Sequence, residues 1–139
     1  MAGSYVIIDH TADIGISVSG RTYKELFESA AAGLFGVIAD SQNIQPKISL
    51  PINISAGDME SLLVRWLNEL LYLWDTEHLL FNKFSITSIN QRQLKADCGG
   101  EKFNSRRHNL HRDVKAATYH MLKVQKDKSG YFVTIILDI

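Results

Sequence analysis

The order of the periodic segments constrains the fold of this chain more than any other feature of its sequence. Apolar residues recur at helical spacing in two stretches, which predict one helix over Tyr23–Ile38 and a second helix after Asp58. Segments with a period of two, typical of strands, precede, separate and follow these helices. Because strands and helices do not alternate as β-α-β-α-β, a doubly wound parallel sheet is disfavoured. We expect an α+β fold, a largely antiparallel sheet with two helices packed on one face, formed by residues 1–139 as a single domain.

Local signals predict where several elements begin. Thr22 and Glu25 have the spacing of a capping box at the start of the first helix. Asp58 is expected to cap the second helix, whose wide apolar arc includes Trp66. Pro51 argues that the third strand lies at a sheet edge, because proline cannot donate a ladder hydrogen bond. The predicted strands, in chain order, are 5–9, 13–19, 47–55, 84–89, 93–98, 113–123 and 131–137, with a turn at 99–100 and a polar loop over 101–111.

Composition argues against several classes of protein. Lys+Arg and Asp+Glu each number 15, so the formal net charge is zero, which disfavours a protein that coats nucleic acid by bulk charge. The single cysteine, Cys98, excludes an internal disulfide framework and fits a reducing compartment. The longest apolar run, 131–137, is far shorter than the roughly 20 residues of a membrane helix, and the first residues do not have the pattern of a secretion signal. We therefore expect a cytoplasmic protein without membrane association.

Two acidic positions are candidates for a cation site. Asp9, His10 and Asp13 lie within five residues at the start of a strand, and carboxylates held close together suit a hard divalent cation. At the other end of the chain, Asp138 interrupts an apolar strand and is followed by the terminal carboxylate of Ile139. These groups converge if the last strand pairs beside the first ones, and they then require a countercharge. The alternatives are a polar turn at the first position and a frayed terminus at the second.

The segment 113–120 supplies a candidate cationic group. In a regular strand, Lys115 shares a face with Ala117 and Tyr119, whereas Thr118 and His120 take the other face. Lys115 is then a charge among small side chains, from which it could reach an anion. The alternative is a lysine whose ammonium group extends into solvent.

Two further sets of residues are less specific. Cys98, His108 and His111 could contribute to a zinc site, although their spacing matches no zinc finger and a fourth ligand is missing. The basic loop, 106–112, could contact phosphate, RNA or an acidic protein face. Its alternative is a solvated loop. Its basic residues are Arg106, Arg107, His108, His111 and Arg112.

Four short blocks, in order and across nearly the whole chain, resemble the archease family. The first is Asp-His-Thr-Ala-Asp-Ile-Gly over 9–15, and the second covers 63–71 with Trp66 and Glu69. The third comprises Gly-Glu at 100–101, His111 and Val-Lys-Ala-Ala-Thr-Tyr-His over 114–120, where the family typically has valine in place of Ala117. The fourth is the ending Leu-Asp-Ile, 137–139. The combination is specific although each block alone is short.

The resemblance implies a function. Archeases are cytosolic accessory proteins of the GTP-dependent RNA ligase that joins tRNA halves during tRNA splicing. They promote guanylylation of the ligase's active-site histidine and its multiple turnover, and they carry a strand-helix-strand-strand module. On this basis the partner ligase uses the GTP, the chain reaches RNA only indirectly, and no catalysis or catalytic residue of its own is expected.

The resemblance also implies a site, an acidic metal-binding pocket with a nearby lysine. The implied metal ligands are Asp13, Asp138 and the carboxylate of Ile139, for a cation that prefers oxygen, namely Ca²⁺, Mg²⁺ or Mn²⁺. Lys115, with Asp13 and Asp138, is the implied set for ligase activation. Other motif positions are expected to surround the ligands: Asp9, His10, His111 and His120.

Two other functional classes remain open. One is a stand-alone metal-dependent phosphohydrolase or nuclease that uses Asp13, Asp138 and Lys115, although no general base is evident in the sequence. The other is a chaperone-like adaptor that acts through a surface without metal.

Overall fold

The computed structural model describes residues 3–9 and 13–139. Within them every strand pair is antiparallel, and two helices accompany the strands, so the predicted α+β class is confirmed. In chain order the elements are β1 (Ser4–Asp9), β2 (Asp13–Gly20), α1 (Tyr23–Ile38), β3 (Ile48–Ser55), α2 (Met59–Glu77), β4 (Leu79–Ile89), β5 (Gln93–Lys102), β6 (Ala116–Ala117), β7 (Gln125–Asp127) and β8 (Gly130–Asp138).

The described strands form two sheets where the sequence predicted one. The larger sheet has the order β1-β2-β8-β6, with β7 also paired to β8, and the smaller sheet has the order β3-β5-β4. A period of two indicates that each strand has one apolar face, but it does not specify which strands pair. The edge position predicted for the strand with Pro51 is confirmed, because β3 is an edge of the smaller sheet.

Helix α1 begins and packs as its sequence predicts. The Thr22 hydroxyl accepts a hydrogen bond from the Glu25 amide at 3.1 Å and caps the helix. The Glu25 carboxylate accepts one at 3.2 Å from the amide of Arg21, one residue before the N-cap. A Cβ at Gly33 would lie 2.9 Å from Cγ2 of Ile16, so glycine permits the close approach of α1 to β2. Helix α1 contacts β2 of the larger sheet and β4 of the smaller one.

Helix α2 contributes the largest side chain of the core. Asp58 caps it by accepting a hydrogen bond from the Ser61 amide at 2.7 Å. Trp66 and Leu70 are fully buried, as predicted, and the Trp66 indole donates a hydrogen bond to the Phe27 carbonyl at 2.9 Å. Because α2 also contacts β6 and all three strands of the smaller sheet, the helices join the two sheets through one apolar cluster.

Two local predictions were wrong. Gly99 and Gly100 do not form a turn but continue β5, and a side chain at Gly100 would collide with the Leu80 carbonyl of β4. The predicted strand over 113–123 is largely absent, since Ala116–Ala117 alone pairs in that segment and the chain then turns at Met121, whose φ is 52°. The turn brings the chain back as β7, so β8 pairs with β2, β6 and β7.

Candidate functional site

Strand pairing brings the two predicted acidic ligands together. Asp13 at the start of β2 is directly opposite Asp138 at the end of β8, and Ala116 of β6 lies on the other side of Asp138. Residues directly opposite in antiparallel strands project from the same face, with Cβ atoms about 4.5–5.5 Å apart. Asp13 is half-buried and Asp138 is exposed. We call Asp13 and Asp138 the acidic pair.

The acidic pair lies on the sheet face that α1 does not cover. Its neighbours along the chain, Ile14 and Leu137, are also paired with each other and are buried in the core on the opposite face. Like charges directly opposite in a sheet repel one another. A cation between the carboxylates would remove this repulsion, and carboxylate oxygens are the ligands that hard divalent cations prefer.

The terminus is held against the fold and is not frayed. The side chain of Ile139 is half-buried and packs against the core, and the carbonyl of Asp138 accepts a hydrogen bond from the Lys115 amide at 2.8 Å. The predicted role of the Ile139 carboxylate as a ligand stays a prediction.

The backbone amide of Lys115 bonds the carbonyl of Asp138, so the backbone of Lys115 lies next to the acidic pair. The side chain of Lys115 is exposed. It lines a cavity of about 450 Å³ together with Asp75 of α2 and Asp113. No ion pair within 4.0 Å links Lys115 to a carboxylate among residues 3–9 and 13–139. The predicted position of Lys115 within reach of the acidic pair therefore stays a prediction for the side chain.

Asn68 of α2 positions the segment of Lys115, a role that the sequence analysis missed. Its side-chain oxygen accepts a hydrogen bond from the Ala117 amide at 2.8 Å, and its nitrogen donates one to the Ala117 carbonyl at 3.1 Å. The sequence does contain a signal for this role, because Asn68 is a polar residue between Leu67 and the buried Leu70 and Leu71. Its side chain fixes β6 beside β8.

The other motif residues have varied positions. His111 is exposed, and its amide donates to the Ile38 carbonyl at 2.7 Å; His120 is exposed in the turn after β6. The backbone of Asp9 pairs with Ile14. The predicted roles of His10 and of the Asp9 side chain lie outside the described residues. In the part of the chain that is described, no group of three or more His, Cys, Asp or Glu side chains is arranged to hold a metal ion.

The weak zinc hypothesis gains no support. Cys98 is buried in β5, and burial, with a smaller contribution from Asp97, raises the pKa of its thiol to about 12. His108 has both ring nitrogens engaged. Its Nδ1 accepts from the Asn104 amide at 2.8 Å, so Nε2 carries the hydrogen that is donated to Glu101 at 3.1 Å.

Glu101 is a buried carboxylate that the sequence analysis placed in a polar loop. It receives hydrogen bonds from the Gln45 amide at 2.6 Å, from His108 and from the Arg107 guanidinium. We call Glu101, Gln45, Arg107 and His108 the Glu101 network. Burial by itself raises the pKa of Glu101, but the hydrogen bonds, with Arg107 first, outweigh it and lower the pKa to about 2.

Comparison with known proteins assigns the family. A sequence model of the Archease protein family matches residues 5–139. The chain belongs to the archease family. Among its relatives, an archease from Sulfolobus acidocaldarius is 40% identical over 136 residues, which cover 97% of this chain and 98% of the relative. An archease from Pyrococcus furiosus is also 40% identical, with 94% and 95% covered.

Solved structures agree with this family fold. The solution structure of protein 1598 from Methanobacterium thermoautotrophicum is 32% identical, covers 97% of this chain and 98% of that one, and has a TM-score of 0.80. The crystal structure of an archease from Thermotoga maritima, described as a possible chaperone, is 22% identical, covers 95% and 94%, and has a TM-score of 0.67; at this identity it supports the fold alone. In the described part of the chain, neither α1 nor α2 combines the length and apolarity that a membrane crossing requires.

Proposed function

We propose that the chain is an accessory protein of a GTP-dependent RNA ligase in tRNA splicing, which promotes guanylylation and multiple turnover of the ligase in the cytoplasm. Membership in the archease family supports an archease role. The observation that carries the finer proposal is the cross-strand position of Asp13 and Asp138, with the backbone of Lys115 bonded to Asp138.

The acidic pair has suitable chemistry for this role. Guanylylation builds negative charge on the α-phosphate and on the leaving pyrophosphate, and a divalent cation with a lysine stabilises such charge. In this proposal Asp13, Asp138 and the carboxylate of Ile139 hold Ca²⁺, Mg²⁺ or Mn²⁺. Lys115 supplies a compact positive charge beside them. The site would act on phosphates bound by the ligase, so the chain would activate a partner and turn over no substrate itself.

A chaperone-like adaptor without metal is the second candidate. Family membership is compatible with it, because membership supports an archease role with or without a bound metal. It predicts that the ligase is activated through a surface of the chain, whether or not the acidic pair is intact.

One experiment separates these functions. Labelled GTP is incubated with the ligase, a divalent cation and a sub-stoichiometric amount of the chain, and guanylylated ligase is measured for wild type, Asp13→Asn and Asp97→Asn. Asp97 is an exposed carboxylate on the smaller sheet and is the matched control. We expect Asp13→Asn to lose most of the stimulation and Asp97→Asn to retain it.

Other outcomes contradict the proposal. Full stimulation by Asp13→Asn would favour the adaptor. Metal-dependent cleavage of RNA or nucleotides by the chain alone, lost in Asp13→Asn, would favour the phosphohydrolase or nuclease.

A further inference from the structure

A cavity on the smaller sheet gathers cationic side chains from three separate segments. Lys47 precedes β3, Lys102 ends β5, and Arg107 belongs to the loop that follows β5. The cavity has a volume of about 600 Å³. We call this cavity, which Lys47, Lys102 and Arg107 line, the cationic cavity. The remaining lining residues are Ile48, Glu101, Phe103, Asn104 and Ser105.

The cationic groups exceed the negative charge of their surroundings. Three cations line the cavity against one carboxylate, that of Glu101, which leaves two positive charges in excess, in a chain whose formal net charge is zero. Arg107 and Lys47 both approach Oε1 of Glu101, with the Lys47 ammonium at 3.7 Å. Their side chains nevertheless remain 35% and 57% exposed. Arginine has five donors and lysine three, so donors remain for a ligand.

The loop that carries Arg107 is fixed before any ligand arrives. The Phe103 amide donates to the His78 carbonyl at 2.8 Å, and the amides of Arg107 and His108 donate to the Asn104 carbonyl at 3.0 and 2.9 Å. The imidazole of His108 beneath the loop accepts from the Asn104 amide. A site whose donors are already ordered loses less conformational entropy when it binds.

The cationic cavity and the acidic pair lie toward the same end of the molecule. Helix α1 starts just after β2 ends and packs Gly33 on Ile16, so it runs back along β2 and finishes toward the end where Asp13 lies. There the carbonyl of Ile38 binds the His111 amide, three residues after the loop that forms the cavity. One extended ligand strand could therefore contact the cavity and continue toward the acidic pair.

We infer that the cationic cavity binds phosphate groups of single-stranded RNA. The Arg107 guanidinium, held by Glu101, and the exposed ammonium groups of Lys47 and Lys102 suit phosphate oxygens, with amide and hydroxyl donors of Asn104 and Ser105 beside them. The choice of RNA rests on the proposed function, since the ligase that the chain would activate acts on RNA ends. This contact is direct, and it revises the sequence-based expectation that the chain reaches RNA only through its partner.

The test measures binding of a labelled single-stranded RNA to the chain alone by fluorescence anisotropy at several salt concentrations. Three phosphate contacts predict a slope of about −2 in a plot of log affinity against log salt. We expect the double variant Lys47→Gln/Lys102→Gln, which keeps Arg107 and its bond to Glu101, to bind about tenfold more weakly at low salt with a slope of about −0.7. The control, Lys95→Gln/Lys128→Gln, removes two exposed lysines elsewhere and should bind like wild type.

Several outcomes would overturn the inference. One is equal loss of affinity in the two double variants, which would indicate diffuse attraction. A second is displacement of the labelled RNA by inorganic phosphate at a concentration equal to that of the RNA phosphate groups, which would indicate a site for free phosphate. A third is equally effective displacement by polyglutamate, which would indicate an acidic protein partner. Melting curves for both variants confirm that each is folded.

Failure of this inference can be distinguished from failure of the proposed function. Guanylylation of the ligase is measured with GTP and without RNA, whereas this test uses RNA and no ligase. Failure to bind RNA with stimulation of guanylylation intact would overturn this inference alone.

Discussion

The burial and pairing of carboxylates differ between two regions of the chain. On the smaller sheet, Glu101 is buried and is surrounded by hydrogen bonds from Gln45, His108 and Arg107. On the larger sheet, Asp13 and Asp138 are directly opposite one another on the face that α1 does not cover, and neither forms an ion pair with a described cation. The charge of Glu101 is compensated inside the fold, whereas no cation of the described residues lies within 4.0 Å of the acidic pair.

This difference is the one we expect between a structural carboxylate, Glu101, and the carboxylates of the proposed site. A buried charge destabilises the folded state unless it is paired, so we expect the Glu101 network to stabilise the loop over 103–108. Uncompensated like charges in register destabilise a sheet slightly. The fold tolerates that cost at the acidic pair, which is expected at a binding site.

The largest effect on stability is expected for Glu101→Gln. The substitution keeps the shape but removes the charge that Arg107, His108 and Lys47 approach. Breaking a buried charge pair costs about 3–5 kcal/mol, and because Arg107 is partly exposed we expect a loss of about 2–4 kcal/mol in the free energy of unfolding. Urea denaturation measures it. Glu69→Gln, which breaks a surface pair with Arg65, is the control and should cost less than about 1 kcal/mol. Equal losses of stability in Glu101→Gln and Glu69→Gln would show that the buried carboxylate stabilises the fold no more than a surface one.

The pH dependence of unfolding offers a second test of the Glu101 network. The pKa of Glu101 is lowered from 4.5 to about 2 in the folded chain, so the folded state favours the ionised form. Its contribution to stability is fully present above about pH 4.5 and is lost as the pH falls toward 2. We expect the stability difference between wild type and Glu101→Gln to shrink over this range. A difference that stays constant would show that ionisation of Glu101 does not stabilise the fold.

Asp138→Asn should change stability less, and in the opposite direction. Without metal the substitution removes the repulsion between like charges, so the free energy of unfolding should rise by up to about 1 kcal/mol at low ionic strength. Addition of Mg²⁺, Mn²⁺ or Ca²⁺ should raise the melting temperature of wild type but not of the variant, because ligands stabilise the state that binds them. An equal rise in both would show that Asp138 is not a ligand.

Residues added after Ile139 should leave the metal-free stability nearly unchanged. The Ile139 side chain can still pack against the core, but the carboxylate becomes an amide and loses its charge. We expect metal affinity, measured by calorimetry, to fall relative to the untagged chain, while a tag at the other terminus serves as the control. Equal affinity for both proteins would exclude the terminal carboxylate from the site.

The parts of the fold that depend on short-range signals were predictable. Thr22, Glu25 and Asp58 marked the starts of both helices, and Pro51 marked an edge strand. These signals depend on neighbours within four residues, which a sequence displays directly. The meeting of Asp13 with Asp138 was anticipated as a possibility by charge placement and was implied by the family resemblance.

The parts that depend on distant partners were not predictable. The sequence predicts Glu101 in a polar loop and does not show its burial, because one of its partners, the Gln45 amide, is 56 residues away. The strand predicted around Lys115 is reduced to β6, where the amide and carbonyl of Ala117 bond the side chain of Asn68, 49 residues away. Strand pairing within two sheets likewise depends on contacts that alternation alone does not specify.

Lys115 provides the smallest expected change in stability and the sharpest test of the acidic pair. Its side chain is exposed and forms no described ion pair, so Lys115→Ala should change the free energy of unfolding by less than about 0.5 kcal/mol. We nevertheless expect it to lose most of the stimulation of ligase guanylylation, because the proposed site requires the Lys115 ammonium beside the acidic pair. Lys115→Arg should restore little of this stimulation, since a planar guanidinium does not replace a compact ammonium near a cation. Lys123→Ala, an exposed lysine beyond the turn at Met121, should keep full stimulation. If Lys115→Ala stimulates the ligase as well as Lys123→Ala does, the lysine has no part in activation, and the functional site reduces to its carboxylates.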